Sequence, residues 1–187
     1  ILVTTGVRVQ VSGLERVPGD GAYVFVSNHQ SIYDIPILFF VLPFQLRIIA
    51  KASLGLFPVL GWHLRYTGHL LVDRARIGAA TLLQVAGLMK RGHSLIVFPE
   101  GTRSRDGRVG PFKGGLFLMA VEAGLPIVPV AIRGSRHVML KGRLMTCPGD
   151  VSVAVHDPIP TCEMGRDDVR TLAVRARKIV TQMVSAS

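Results

Sequence analysis

Cysteine is nearly missing from this sequence: only Cys147 and Cys162 occur in 187 residues. Two thiols cannot build a disulfide framework, and neither has partners at metal-ligand spacing, so both read as reduced thiols of an intracellular setting. Aromatic residues make up only 6%, with three Tyr and one Trp. No basic tract is interleaved with them, which leaves single-stranded nucleic acid without a stacking platform and argues against a nucleic-acid partner. No apolar run reaches the roughly 18 residues of a membrane-spanning helix. The longest, Ile35 to Leu46, is interrupted by Pro43 and Gln45. No stretch has the build of a secretory signal peptide, and the chain begins at Ile1 rather than Met, which leaves room for a preceding segment. A Gly-x-Ser-x-Gly elbow and a phosphate-cradling P-loop are both missing, which argues against a serine hydrolase or an NTPase. His63, His69, His93, His137 and His156 lack a carboxylate or cysteine at ligand spacing, so no metal site is expected. Without repeats, linkers or low-complexity tracts, residues 1–187 are expected to form one domain with a sizeable core.

Acidic residues are also in short supply: 12 Asp and Glu stand against 22 Lys and Arg, a net charge of +10. Such a surface implies an anionic partner, either a phosphate-bearing substrate or anionic lipid once nucleic acid is set aside. Hydrophobic residues reach 49% and mean hydropathy is +0.40.

What is present is organised around Asn28-His29-Gln30-Ser31-Ile32-Tyr33-Asp34. This stretch follows an apolar strand-like run, Ala22 to Val26, and precedes a helix-like run, Ile35 to Leu42. A histidine and a carboxylate at such a junction can serve as a general base and the group that orients it. On one continuous helix, five residues would put them about 140° apart. Pro36 belongs in a first helical turn, so the helix should begin near it and leave His29 in the preceding loop. The plainer alternative is that Asp34 caps the helix, as in a Ser31-x-x-Asp34 capping box. Ile35 to Leu42 is apolar all round. It suits a buried helix, and equally a wall for an acyl chain or a face lying on a bilayer.

Further along, strands are expected at Val7–Val11, Leu46–Ala50, His69–Val72, Ser94–Phe98, Ile127–Ile132 and, at a sheet edge, Val151–Val155. Leu54 to Leu64 reads as an irregular helix broken by Gly55, Pro58 and Gly61, and its apolar surface suits either a core or an interface. Helices are expected over 76–91, with Ala79, Leu82, Leu83, Ala86 and Met89 inward, and over 116–123. A last helix should run over about 166–184, with Val169, Leu172, Ala176, Ile179 and Met183 inward. Residues 133–149 read as basic, solvated loop. Strand–helix alternation argues for a single-domain α/β fold with a mixed, largely parallel central sheet flanked by helices.

Parallel strands would bring a second loop, Phe98-Pro99-Glu100-Gly101-Thr102-Arg103-Ser104, to the same sheet edge as His29. Its composition suits a phosphate. Gly101 permits close backbone approach, Arg103 offers a planar fork, and Thr102 and Ser104 add hydroxyl donors. Glu100 would repel an anion, so it is expected to shape the loop through backbone groups or Arg103. Lys51, just past the end of its strand, stands where a phosphate could be met, although by itself it reads as an ordinary solvated surface lysine.

Four blocks in order resemble the glycerophospholipid acyltransferase family, specifically the lysophosphatidate (1-acylglycerol-3-phosphate) acyltransferases. They are His29 with Asp34, Gly68 to Arg74, Phe98 to Ser104, and Ile127 to Ile132. Leu71 stands where an aromatic is common in the second block. The resemblance spans roughly residues 22–132. It implies transfer of a fatty acyl group from acyl-CoA or acyl carrier protein to a glycerolipid hydroxyl, with no further cofactor. In that reading His29 is the base, Asp34 its orienter, and Arg103, Lys51 and Arg74 hold the phosphate of a lysophospholipid acceptor. Glycerol 3-phosphate and other lysophospholipids remain alternative acceptors, and a non-catalytic lipid-surface protein is the alternative of a different class. The resemblance further implies work at the cytosolic face of a membrane rich in anionic lipid, with docking by a segment N-terminal to this chain.

Overall fold

The computed structural model describes residues 2–72, 79–140 and 145–186. In chain order these form β1 (Val7–Ser12), β2 (Val24–Ser27), α1 (Asp34–Val41), β3 (Gln45–Lys51), α2 (Pro58–Tyr66), β4 (Leu70–Val72) and α3 (Ala79–Lys90). There follow β5 (His93–Val97), α4 (Gly114–Glu122), β6 (Ile127–Arg133), the short α5 (Ser135–Val138), β7 (Gly149–Val155) and α6 (Val169–Ser185). The strands make one sheet in the order β1-β7-β6-β2-β5-β3-β4. Every neighbouring pair is parallel except β6 with β7, as a mixed, largely parallel sheet requires.

Alternation along the central strands divides the core in two. On one face Phe25, Ile96, Val128, Val130 and Ile132 pack against Ile37, Leu38 and Val41 of α1. On the other, Val24, Val26, Leu95 and Val97 pack against α3, α4 and α6 through Val85, Phe117 and Leu172. Strands covered on both faces read as unbroken apolar runs, which is why β2, β5 and β6 stand out in the sequence. Pro129 is tolerated inside β6 because the β6–β7 ladder stops at the Val130–Val155 pair. Just past that pair its carbonyl accepts the His156 N–H, and only the reciprocal bond, which a proline nitrogen cannot donate, is missing at the ladder's end.

Several expectations need correction. β7 is interior, because β1 pairs with its outer side in parallel register; alternation at β7 reflects two sheet faces, not a free edge. On α3 the inward residues are Val85 and Leu88, with Leu82 and Met89 beside them, whereas Leu83 is 74% exposed. Leu83 lies one helical step, about 100°, from Leu82. The 133–149 stretch is not uniformly solvated: Ser135 and Val138 are fully buried on α5. The 54–64 segment is a 3-10 turn, Ala52–Leu56, followed by α2. Gly61 has to be glycine there, since a methyl group on it would lie 2.3 Å from the Gly55 carbonyl oxygen. Among the described residues, no helix is long and apolar enough to cross a membrane.

Candidate active site

β2 and β5 are parallel neighbours with Val26 opposite Val97, so the segments that leave their carboxyl ends emerge side by side. One carries Asn28-His29 and the other Phe98-Pro99-Glu100. Ligands of parallel α/β sheets bind at this edge. α1 begins at Asp34, which puts Pro36 in its first turn, and His29 stands in the loop ahead of it.

The loop turns His29 back onto Asp34. The ring Nδ1 is 2.8 Å from Asp34 Oδ2. The same oxygen accepts the backbone N–H groups of Gln30 (2.7 Å) and Ser31 (2.9 Å). The N-cap residue of α1 is Tyr33, which has no side-chain cap bond, so Asp34 uses one atom both to brace the loop ahead of the helix and to orient the histidine. An ionised carboxylate only accepts, so the proton of a neutral His29 belongs on Nδ1, which leaves the Nε2 lone pair available. The ring stacks on Phe98, with centroids 4.1 Å apart and planes 21° from parallel. Asp34 is completely buried and the His29 side chain is 16% exposed, an imidazole open on one side with its partner sealed from water.

Glu100 stitches the two loops together. Its Oε1 accepts the His29 N–H (2.9 Å) and its Oε2 the Gly110 N–H (3.0 Å). These are the backbone bonds expected of a loop-shaping residue. Burial pushes the Glu100 carboxyl above its ordinary range, and the two N–H bonds pull it only part of the way back. The Ser104 N–H donates to the His29 carbonyl (2.8 Å), and the Gln30 side chain donates to Gly107 O (2.8 Å).

Further contacts brace these loops from behind. Asn28 bridges the backbone of Ile132 in both directions, with Nδ2 donating to its carbonyl (2.9 Å) and Oδ1 accepting its N–H (2.8 Å). Arg177 of α6 donates to the carbonyls of Gly110 (2.8 Å) and Val109 (3.0 Å). Asn28 belongs to the stretch that the sequence singles out, where no role was assigned to it, and Arg177 carried no sequence signal.

Gly101 has φ +75°, a left-handed conformation that favours glycine. With Glu100, Thr102, Arg103, Ser104 and Arg108 it belongs to the loop that borders an open cleft of about 500 Å³. A larger groove of about 660 Å³ between α3 and β4 contains none of these residues. Ser104 differs from expectation. Its hydroxyl donates to Asp106 (3.0 Å) and accepts the Gly107 N–H (3.0 Å), so its single proton is committed to the turn rather than to an anion. The Asp106 carboxyl is held below its ordinary range by the Arg108 N–H and the Ser104 hydroxyl. Lys51 is the last residue of β3 rather than one beyond it, and its side chain lies outside what the structure describes. Arg74 lies outside the described residues.

Known proteins are similar to this chain in sequence and in fold. A family model described as Acyltransferase matches residues 8–133. A chloroplastic 1-acyl-sn-glycerol-3-phosphate acyltransferase of Brassica napus is 39% identical over 156 residues, covering 81% of this chain and 45% of that protein. The human 1-acyl-sn-glycerol-3-phosphate acyltransferase alpha is 38% identical over 175 residues, covering 92% and 62%. The chain thus spans about half to three-fifths of the length of these relatives. The crystal structure of the 1-acyl-sn-glycerophosphate acyltransferase PlsC from Thermotoga maritima superposes with a TM-score of 0.82 at 33% identity, over 98% of this chain and 73% of that one.

Proposed function

The chain belongs to the acyltransferase family, and from that premise we propose that it transfers a fatty acyl group from a thioester to the free hydroxyl of lysophosphatidate, giving phosphatidate. The donor is acyl-CoA or acyl carrier protein. The observation that carries this reading is the 2.8 Å contact between His29 and a buried Asp34, made in the same loop assembly as the Gly101–Ser104 turn.

The chemistry follows from the groups present. The Nε2 of His29 takes the proton of the acceptor hydroxyl as its oxygen attacks the thioester carbonyl. A new C–O bond forms and the C–S bond breaks. The imidazolium then returns its proton to the departing thiolate, so the two substrates balance the reaction and no additional cofactor is required. Positioned base catalysis of this kind contributes on the order of 10²–10⁴ in rate. Asp34 fixes the tautomer and offsets the charge that appears on the ring, a division of labour shared with hydrolytic triads. The nucleophile here is the substrate's own hydroxyl.

The acceptor phosphate is assigned to Arg103, with the Gly101 and Thr102 backbone close by. Lys51 and Arg74 are further cations for it, by the family resemblance. Exposed apolar side chains at Phe40, Leu56, Phe57, Trp62 and Tyr66, together with the net charge of +10, support work at an anionic membrane surface; the cytosolic side is what the family resemblance implies.

The test is acyl transfer by the purified protein, with lysophosphatidate, glycerol 3-phosphate and other lysophospholipids as acceptors and both thioester types as donors. His29→Ala is expected to lower turnover by at least 10²-fold. Wild-type turnover in that variant would remove His29 as the base. Binding to anionic vesicles without turnover on any donor would point instead to a non-catalytic lipid-surface protein.

A further inference from the structure

Lys113 is the N-cap residue of α4, in extended backbone (φ −80°, ψ 131°). Its backbone N–H donates to the Pro99 carbonyl (3.0 Å), which ties the start of α4 to the loop leaving β5. From there the side chain runs across Gly101. A methyl group on Gly101 would lie 3.0 Å from Lys113 Nζ, 3.4 Å from Cε and 3.7 Å from Cδ. The outer half of the lysine therefore lies over the backbone of this glycine, which the positive φ favours.

Lys113 is exposed, and among the described residues its ammonium makes no ion pair with a carboxylate. Nearby charges are accounted for otherwise. Both Glu100 oxygens accept backbone N–H groups, Asp34 serves His29, and Asp106 faces Arg108 at 3.8 Å. The charge balance of the site calls for such a cation. A phosphomonoester carries about 1.5–2 negative charges at pH 7. It would approach loops that already hold the Asp34, Glu100 and Asp106 carboxylates, against the Arg103, Arg105 and Arg108 guanidiniums that border the cleft.

We propose that the Lys113 ammonium is a phosphate contact of this site, bonding an anionic oxygen held over the Gly101–Arg103 turn. A compact charge with three donors complements the planar fork of Arg103. The phosphate belongs to the acceptor or to the acyl donor, and the chemistry is the same for both. This assignment rests on the reading of the loop as the phosphate site of an acyl transfer.

Steady-state kinetics of Lys113→Met and Lys113→Arg, varying each substrate in turn, test it. Losing a charge-assisted bond is expected to raise one KM about ten- to a hundredfold in Lys113→Met, with kcat changed far less and Lys113→Arg recovering most of the loss. A raised KM for lysophosphatidate identifies the acceptor phosphate, and a raised KM for acyl-CoA the donor's; both support the contact. Both KM values within twofold of wild type in Lys113→Met overturn the proposal, as does a loss confined to kcat. If the wild type transfers no acyl group, the reaction has been misread, and Lys113 is judged by thermal unfolding with glycerol 3-phosphate as ligand. Stabilisation of the wild type that disappears in Lys113→Met supports the contact. Equal stabilisation of both, or none in the wild type, overturns it.

Discussion

Replacing Asp34 with asparagine separates the charge of this residue from its shape. In the protein, Oδ2 takes three donors: His29 Nδ1 at 2.8 Å, Gln30 N–H at 2.7 Å and Ser31 N–H at 2.9 Å. An amide nitrogen cannot replace it, since a donor would face three donors. The asparagine side chain must therefore place its oxygen there and its NH2 where Oδ1 stands, a buried position with no hydrogen-bond partner among the described residues. Bonds to a charged acceptor contribute about 1 kcal/mol more than neutral ones. Over three bonds the loss is about 3 kcal/mol, and burying the unpaired NH2 costs about 1–3 kcal/mol more. Activity should fall further than stability alone accounts for, because the imidazolium loses its counter-charge as it forms. A drop in kcat of roughly 10²–10⁴ is expected, the range of a positioned base. Urea unfolding followed by circular dichroism gives the stability, and thiol release from acyl-CoA in the presence of lysophosphatidate gives the rate. An Asp34→Asn protein that unfolds within about 0.5 kcal/mol of wild type, an allowance well under the loss expected from these bonds, would refute this account of the carboxylate. So would turnover within about fivefold of wild type, well inside the expected drop.

Glu100 sets a pH dependence. Burial raises its carboxyl above the ordinary 4.5, so the folded protein holds that proton more tightly than the unfolded chain does. Its contribution to stability is full below that value and is lost as pH rises through the folded one. Glu100→Gln should remove this slope. The stability of wild type minus variant, measured by urea unfolding, should decline with rising pH, and a difference that grows would contradict the assignment. Arg177→Met removes two bonds to the Val109 and Gly110 carbonyls and should lower stability by about 1 kcal/mol for an exposed guanidinium. It should also lower kcat, because Gly110 holds Glu100 and Glu100 holds His29. An unchanged unfolding curve together with unchanged turnover would show the brace to be idle.

Much of this was legible in the sequence, for identifiable reasons. β2, β5 and β6 are covered on both faces, so their apolar runs are continuous, and parallel order follows from the helices between them. Pro36 marks the start of α1 and thereby places His29 ahead of the helix. Glycine and arginine in one turn marked the second loop. Contacts set by tertiary packing were not legible. Ser104 offers the same hydroxyl to a turn as to a phosphate, and only the position of Asp106 decides which one takes it. Val151–Val155 alternates as an edge strand would, and only its pairing with β1 shows it to be interior. Leu83 is as apolar as Leu82, and the helix phase alone turns it outward. Arg177 reaches a loop distant in sequence, and Lys113 folds back over a glycine earlier in its own loop; no local pattern encodes either.

The sheet core contains no tryptophan. The sole indole, Trp62 on α2, is 64% exposed and stacks on Tyr66 with centroids 5.3 Å apart. Its emission is therefore a built-in reporter of one outer surface and is nearly blind to the interior. Melting the sheet would change its surroundings little, so a fluorescence curve would understate unfolding. Anything that covers the apolar side chains around it, a vesicle or another molecule, would register without a label.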